Sequence, residues 1–402
     1  MRKRKYEYLF GNDVQTTKWQ EIKPVEPYYF FVPKDFALQS EYEKFWKVTE
    51  IFKEWSSGVT THRDDFVVGF TKEEIIQRLR ILTGRLPDEI VRQSLNLKDT
   101  GTWNLAEARQ KIKSQRPEDK IYPYCYRPFD VRLVCYEPTL IDRPRLPFMN
   151  NLKRENIALL CMREVVIESG FSHIFVSDKI SDRRIFLSNR GAPYFFPLFL
   201  YPDQSEEQLF DKKHKAYCIP NFTDEFLQAI KESLDTELTP EEIFHYIYAI
   251  LYSPTYRKRY DEFLKIDFPR VPLPSNGDMF KELSNLGKEL VELHLLKAST
   301  LDETKIGFPK GGSNKVEKVF YNEETLRVFI SKDQYFEGIS KEVCEYRIGA
   351  YQVVMKYLKD RKSRKLSLDE INHYMRVAKA IRLTIELQEK IDNLYRGGLF
   401  QK

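Results

Sequence analysis

The 402-residue chain has no Pro-Pro pair, no G-x-x-x-x-G-K-(S/T) loop, no G-x-G-x-x-G turn and no C-x-x-C pair. The first absence excludes the (N/D)-P-P-(Y/F) loop with which an adenine methyltransferase holds the amino group of a flipped base. The next two exclude the common cradles for nucleotide phosphates and dinucleotides. The Gly311-Gly312-Ser313 turn lacks the Lys-Ser/Thr such a loop requires and reads as a hairpin connection. Five cysteines, odd in number and mostly set among apolar residues, read as reduced core thiols rather than a disulfide frame or zinc site. Six histidines (His62, His173, His214, His245, His294, His373) are scattered without metal-ligand spacing. The longest apolar run, Ala192 to Pro202, is interrupted by Pro193 and Pro197, which excludes a spanning helix, and Met1 to Lys5 lacks the apolar stretch of a secretory signal. A cytoplasmic protein without a membrane partner is expected.

What is present is a large aromatic content, 24 Tyr and 28 Phe, and a chain long enough for two or three domains. Tyr6 to Phe10 begins like the middle of a helix without a cap, as in a piece of a longer polypeptide. Pro27 to Val32 and Val59 to Val68 read as strands, the second with a polar centre. Thr71 to Glu74 is a capping box opening a helix with Ile75, Ile76, Leu79 and Leu82 at helical spacing, and helices continue to about Ser114. From Ile121 to Pro202 short aromatic and β-branched runs (Tyr124–Val134, Ile157–Met162, His173–Val176, Arg184–Leu187, Tyr194–Tyr201) predict an antiparallel β assembly with long loops. Helices follow at Thr223–Ile230, Glu241–Tyr252 and Gly277–Leu296, then a hairpin in Val316–Ile330 and two closing helices, Lys341–Lys359 and Ser367–Leu394. The fold class is therefore α+β, a β-rich domain with a helical connector and a helical C-terminal tail.

Net charge is only +5, so clustering rather than the total must indicate a partner. Arg127 and Arg132 flank Asp130, Arg143 and Arg145 follow, and Lys179, Arg183, Arg184 and Arg190 lie between predicted strands. Guanidinium groups suit bidentate contact with guanine edges, so Arg127, Arg132, Arg143, Arg145, Arg183, Arg184 and Arg190 are the candidate base-reading residues. Arg257, Lys258, Arg259 and, in the basic run between the closing helices, Lys362 are candidate phosphate contacts. The bland alternative is a solvated surface with local ion pairs such as Arg127 with Asp130. Pro87-Asp88 and Glu118-Asp119-Lys120 have a spacing a metal-dependent nuclease could use, but Asp88 sits where a helix start favours a carboxylate. No catalytic and no metal-ligating residue is assigned.

Several phrases, taken in order, resemble the C-terminal specificity part of Type ISP restriction-modification enzymes and related single-chain adenine-N6 DNA methyltransferases. They are Pro27 to Pro33, Gly58 to Asp65, Tyr126 to Asp130, Phe196 to Tyr201, Tyr246 to Arg257, Phe268 to Pro272 and Tyr346 to Tyr351. The resemblance implies a target recognition domain that reads double-stranded DNA in the major groove and works with a methyltransferase domain or subunit. It implies a junction from the end of a methyltransferase domain at 1–66, a helical connector at 67–118, the β-rich recognition domain with helical additions at 119–340 and a helical tail at 341–402. It also implies that S-adenosylmethionine, ATP and Mg belong to other domains of the whole enzyme, with no cofactor in this chain. Two readings stay open beside it: a self-contained DNA enzyme, nuclease or methyltransferase, with divergent motifs, and a protein–protein assembly module.

Overall fold

Every side chain at 158–162 and at 174–177 is buried, as expected of apolar strands covered on both faces. These strands anchor the fold in a computed structural model that describes residues 2–24, 26, 29–32, 34–165, 170–188, 191–202 and 218–398. The chain divides into two units, Met1–Ser40 and Glu41–Lys402. The first contains α1 (Arg2–Gly11), which leaves Leu9 and Phe10 exposed.

In the second unit the main elements in chain order are β1 (Ser56–Ser57), β2 (Val68–Gly69), α2 (Lys72–Thr83), α3 (Asp88–Ser94) and α4 (Leu105–Ile112). Then come β3 (Ile121–Arg127), β4 (Asp130–Cys135), β5 (Ala158–Met162), β6 (Ile174–Ser177), β7 (Ile180–Ser181) and β8 (Pro193–Pro197). The helical part follows with α5 (Asp224–Leu234), α6 (Pro240–Tyr252), α7 (Pro254–Arg259) and α8 (Gly277–His294). A three-stranded sheet of β9 (Phe320–Asn322), β10 (Arg327–Phe329) and β11 (Tyr335–Glu337) precedes α9 (Val353–Lys359) and α10 (Leu368–Gly398). Two four-stranded sheets form the centre, β1-β8-β5-β6, wholly antiparallel, and β2-β4-β3-β7, in which β3 and β7 run parallel.

Local chemistry explains the helices. Thr239 accepts from the Glu242 N–H at 3.2 Å while Glu242 accepts from the Thr239 N–H at 2.8 Å, and Pro240 follows the cap, so α6 starts with a full capping box. Nine of its residues are buried, which makes it the central helix. It packs so closely on α8 that a Cβ on Gly287 would lie 1.9 Å from the His245 carbonyl oxygen. Tyr248 and His294 share a hydrogen bond at 2.6 Å, His294 meets Thr384 of α10 at 3.0 Å, and the Tyr252 hydroxyl donates to the Ile174 carbonyl at 2.8 Å. These bonds tie three helices to β6 while satisfying the buried polar groups.

The α+β class stands, with local corrections. Residues 59–68 are not one strand: Val59 and Thr60 make single bridges, His62 turns at φ +56°, and Asp64–Val67 is a helical turn. The Thr61 hydroxyl donates to the Asp64 carboxylate, a local bond that competes with a strand ladder. Residues 184–187 form a turn because the Asp182 carboxylate accepts the Arg184 N–H at 2.7 Å. The predicted helix at 341–359 is split by the small hairpin of Arg347–Ile348 with Tyr351–Gln352. The hairpin at 316–330 gains a third strand, β11. Of the strand expected at 27–32, Pro27 and Tyr28 lie outside the described residues and 29–32 contain no strand. Among the described residues no helix is long and apolar enough to cross a membrane.

Candidate nucleic-acid interface

The open edge of β7 is extended by backbone from two distant stretches. The Val59 N–H donates to the Ser181 carbonyl at 3.0 Å and the Arg183 N–H to the Val59 carbonyl at 2.9 Å. Thr60 and Arg143 then exchange both backbone bonds, at 3.1 and 2.9 Å. This ladder brings Arg143, Arg183 and Arg184, far apart in sequence, to one rim. Gly58 makes the close approach possible, since a Cβ there would lie 2.8 Å from the Arg183 nitrogen and 2.8 Å from the Phe195 ring.

Beside this rim lies a cleft of about 820 Å³ lined by Thr61, His62, Arg63, Lys98, Arg183 and Arg184 among others. A second cleft of about 650 Å³ shares Asp64, Asp65, Leu95 and Asn96 with the first and carries Arg78, Arg132 and Arg364. Asp142 organises the outer wall: its carboxylate lies 3.5 Å from both His62 Nδ1 and Arg143 Nε and accepts from the Thr102 hydroxyl at 3.0 Å. Arg143 keeps 56% of its side chain exposed, so its fork remains available to an incoming group. Arg63 is buried, stacked 4.3 Å over Trp103, and donates from Nε to the Leu140 carbonyl.

The floor is held by buried charge. Asp182 accepts from Arg127 Nη1 at 2.9 Å and from the Tyr124 hydroxyl at 2.9 Å, in addition to the Arg184 N–H. Burial pushes its carboxyl above the ordinary range and the nearby Asp64 adds to this, with Arg127 opposing. Asp130 accepts from Arg132 at 2.8 Å and from Arg361 at 2.8 Å. Burial raises its carboxyl, but the two guanidinium groups outweigh that and hold it below the ordinary value. Arg127 is therefore paired with Asp182, whereas Asp130, its neighbour in sequence, serves Arg132 and the C-terminal Arg361.

Arg127 and Arg132, both predicted to read bases, thus have donors committed to internal carboxylates and guanidinium groups stacked over the Tyr126 ring at 3.9 Å. Arg145 is half-buried at φ +58°, its Nε buried without a partner. Arg190 lies outside the described residues. Arg257 donates to the Leu251 carbonyl at 2.6 Å and stacks on Tyr252, and Arg259 grips Glu41 with two bonds, so neither presents a wholly free guanidinium. Lys258 and Lys362 are exposed. Asp88 binds Arg109 and Lys120 binds Glu137, which separates the nuclease-like pattern into two ion pairs. Among the described residues no group of three or more His, Cys, Asp or Glu could hold a metal ion. Sequence reasoning passed over Thr61, His62, Lys98 and Asp142. The sequence signal for Thr61 and His62 is the polar centre of 60–65 between apolar flanks, whereas Lys98 and Asp142 lie outside that stretch.

The family model for the Type ISP C-terminal specificity domain matches residues 50–390. No curated protein matches the sequence. Among solved structures, the fold is similar to a nuclease-deletion mutant of the Type ISP restriction-modification enzyme LlaGI in complex with a DNA substrate mimic (TM-score 0.67, 19% identity, covering 97% of this chain and 38% of that one). It is also similar to the DrdV–DNA complex (0.75, 19%, 96% and 42%) and to the ATP-dependent Type ISP enzyme LlaBIII bound to DNA (0.70, 18%, 92% and 25%). The chain spans less than half the length of each of these proteins. With a family model covering residues 50–390, the chain belongs to the Type ISP C-terminal specificity domains.

Proposed function

We propose that the chain recognises a specific double-stranded DNA sequence and orients an adenine-N6 methyltransferase domain or subunit on it, as the specificity portion of a Type ISP-like restriction-modification enzyme. The observation that carries this reading is the backbone ladder that brings Arg183 and Arg184 into the lining of one cleft and bonds Arg143 to Thr60 of the same lining. Rigid strands supply the scaffold and flexible guanidinium forks the donors, the division of labour that base reading needs. Arg127 and Arg132 then brace the floor, and Lys258 and Lys362 serve as phosphate contacts. DNA in the three related structures supports the same partner. In this reading residues 119–340 recognise the site, 67–118 connect, 341–402 brace the recognition part and 1–66 join a methyltransferase domain. S-adenosylmethionine, ATP and Mg are assigned to other parts of the enzyme, and the five free thiols support a reducing, cytoplasmic setting.

Selection of bound duplexes from a randomised pool tests the reading. The chain is expected to enrich one sequence, and Arg183→Ala or Arg184→Ala to relax a single position by about 5- to 150-fold, the equivalent of ~1–3 kcal/mol. Enrichment of no sequence, or a uniform loss across all positions in both variants, would contradict it.

A further inference from the structure

Two lysine-bearing segments far apart in sequence are bonded into one ladder beyond β11 and α9. The Val316 N–H donates to the Arg364 carbonyl at 2.9 Å, the Ser363 N–H to the Val316 carbonyl at 2.7 Å, and the Leu366 N–H to the Asn314 carbonyl at 2.9 Å, which sets Lys315 opposite Lys365. Side chains alternate along it. Val316 and Arg361 are buried, the latter on Asp130 and Glu370, and Arg364 turns onto Glu74 and the Phe70 ring. Lys315, Lys362 and Lys365 are left exposed, with Lys310 at the head of the adjoining loop. Glu317 is the one acid within 310–318, and 361–366 contain none.

The loop is built rather than slack. Gln334, 3% exposed, accepts from the Asn314 N–H at 2.8 Å and donates to the Lys310 carbonyl at 3.1 Å and to Asn314 Oδ1 at 2.8 Å. A buried side-chain amide satisfied only by this loop fixes the backbone from which the lysines project. The position is equally informative. The first cleft runs into the second through Asp64, Asp65, Leu95 and Asn96, and the second is lined by Arg364, whose chain neighbours are Ser363 and Lys365.

We propose that Lys310, Lys315, Lys362 and Lys365 form a phosphate-gripping surface that continues the recognition groove and holds the DNA duplex beyond the bases being read. The inference rests on the DNA reading above. Ammonium groups on long stems neutralise phosphates as point charges and carry no base information, so the surface adds affinity to every sequence alike.

The test uses the whole chain and a fluorescein-labelled duplex of about 30 base pairs, with affinity measured by anisotropy from ~50 to ~200 mM salt. The fourfold variant Lys310→Gln, Lys315→Gln, Lys362→Gln and Lys365→Gln should flatten the log–log slope by about 3.6, or 0.9 per contact. Over this fourfold salt range the parent should therefore lose about 150-fold more affinity than the variant. A charge-matched control carrying Gln at Lys231, Lys281, Lys288 and Lys341 should keep the parent slope. Sequence preference should be unchanged in both. An unaltered slope in the first variant, or an equal change in the control, overturns the inference while leaving the DNA reading intact. Failure of the parent to bind duplex at all overturns both.

Discussion

Replacing Asp182 by Ala should damage the protein twice, through stability and through base discrimination. Asp182 is 5% exposed and receives Arg127, Tyr124 and the backbone N–H of Arg184. Its removal leaves the Arg127 guanidinium, itself 7% exposed, with the Tyr126 carbonyl and ring and the more distant charge of Asp64. A buried cation that loses its bonded carboxylate costs about 3–5 kcal/mol, and the turn that aims Arg184 loses its anchoring bond as well. Arg127→Met should cost less, about 1–2 kcal/mol, because Asp182 keeps two donors and already has a carboxyl biased toward its neutral form by burial. In the double variant the two losses should fall short of their sum by about 2 kcal/mol. Urea unfolding of the four proteins measures the cycle, and duplex selection measures the Arg184 position. An Asp182→Ala protein within ~0.5 kcal/mol of the parent that retains its sequence preference would refute the account of the floor.

Gly58→Ala should cost about 1–3 kcal/mol by driving a methyl group into the Arg183 backbone, and should weaken duplex binding, read by thermal unfolding and anisotropy on one preparation. His173 and His294 are buried and held down at about 4 and about 3 by burial, against ~6.5 in the unfolded chain. Between those values the unfolded chain binds more protons, so their stability is fully present above ~6.5 and is lost as pH falls toward the folded values. Urea titrations at pH 7 and pH 5 should differ by roughly 2 kcal/mol per histidine. Since neither His173 ring nitrogen has a hydrogen-bond partner, His173→Phe should remove one such share without loss at pH 7. The chain alone should show no micromolar binding of S-adenosylmethionine by calorimetry, because it lacks the methyltransferase loop and the usual cradles.

The helices were legible where their ends carry chemistry. Thr239, Pro240 and Glu242 announce α6, and Thr71 caps α2 by accepting the Glu74 N–H at 3.2 Å. Strand content in 121–202 was legible from apolar runs, but pairing was not, because β7 lies parallel to β3 and its edge is completed by Val59 and Arg143. Such non-local bonds leave no periodicity to read. The charges show the same limit. Arg127 and Asp130 are neighbours in sequence, yet the turn between them sends one to Asp182 and the other to Arg361. Arg and Asp look alike on a rim and under a floor until the fold decides which are buried, which is why Arg183 and Arg184, in the cleft lining, and the exposed Arg143 beside them remain the candidates. The same burial turns Arg127 and Arg132 into supports.

In the proposed reading the strands between 121 and 202, with the ladder they form, determine which DNA sequence is read. A full-length active relative carrying this stretch in place of its own, with Gly58 to Asp65 supplied alongside, submits it to mapping of methylated sites by single-molecule sequencing. The hybrid is expected to abandon its parent's site for a new one, and Arg184→Ala in the hybrid to relax one position of it. A folded, active hybrid that still marks the parent's site would place recognition elsewhere in the chain.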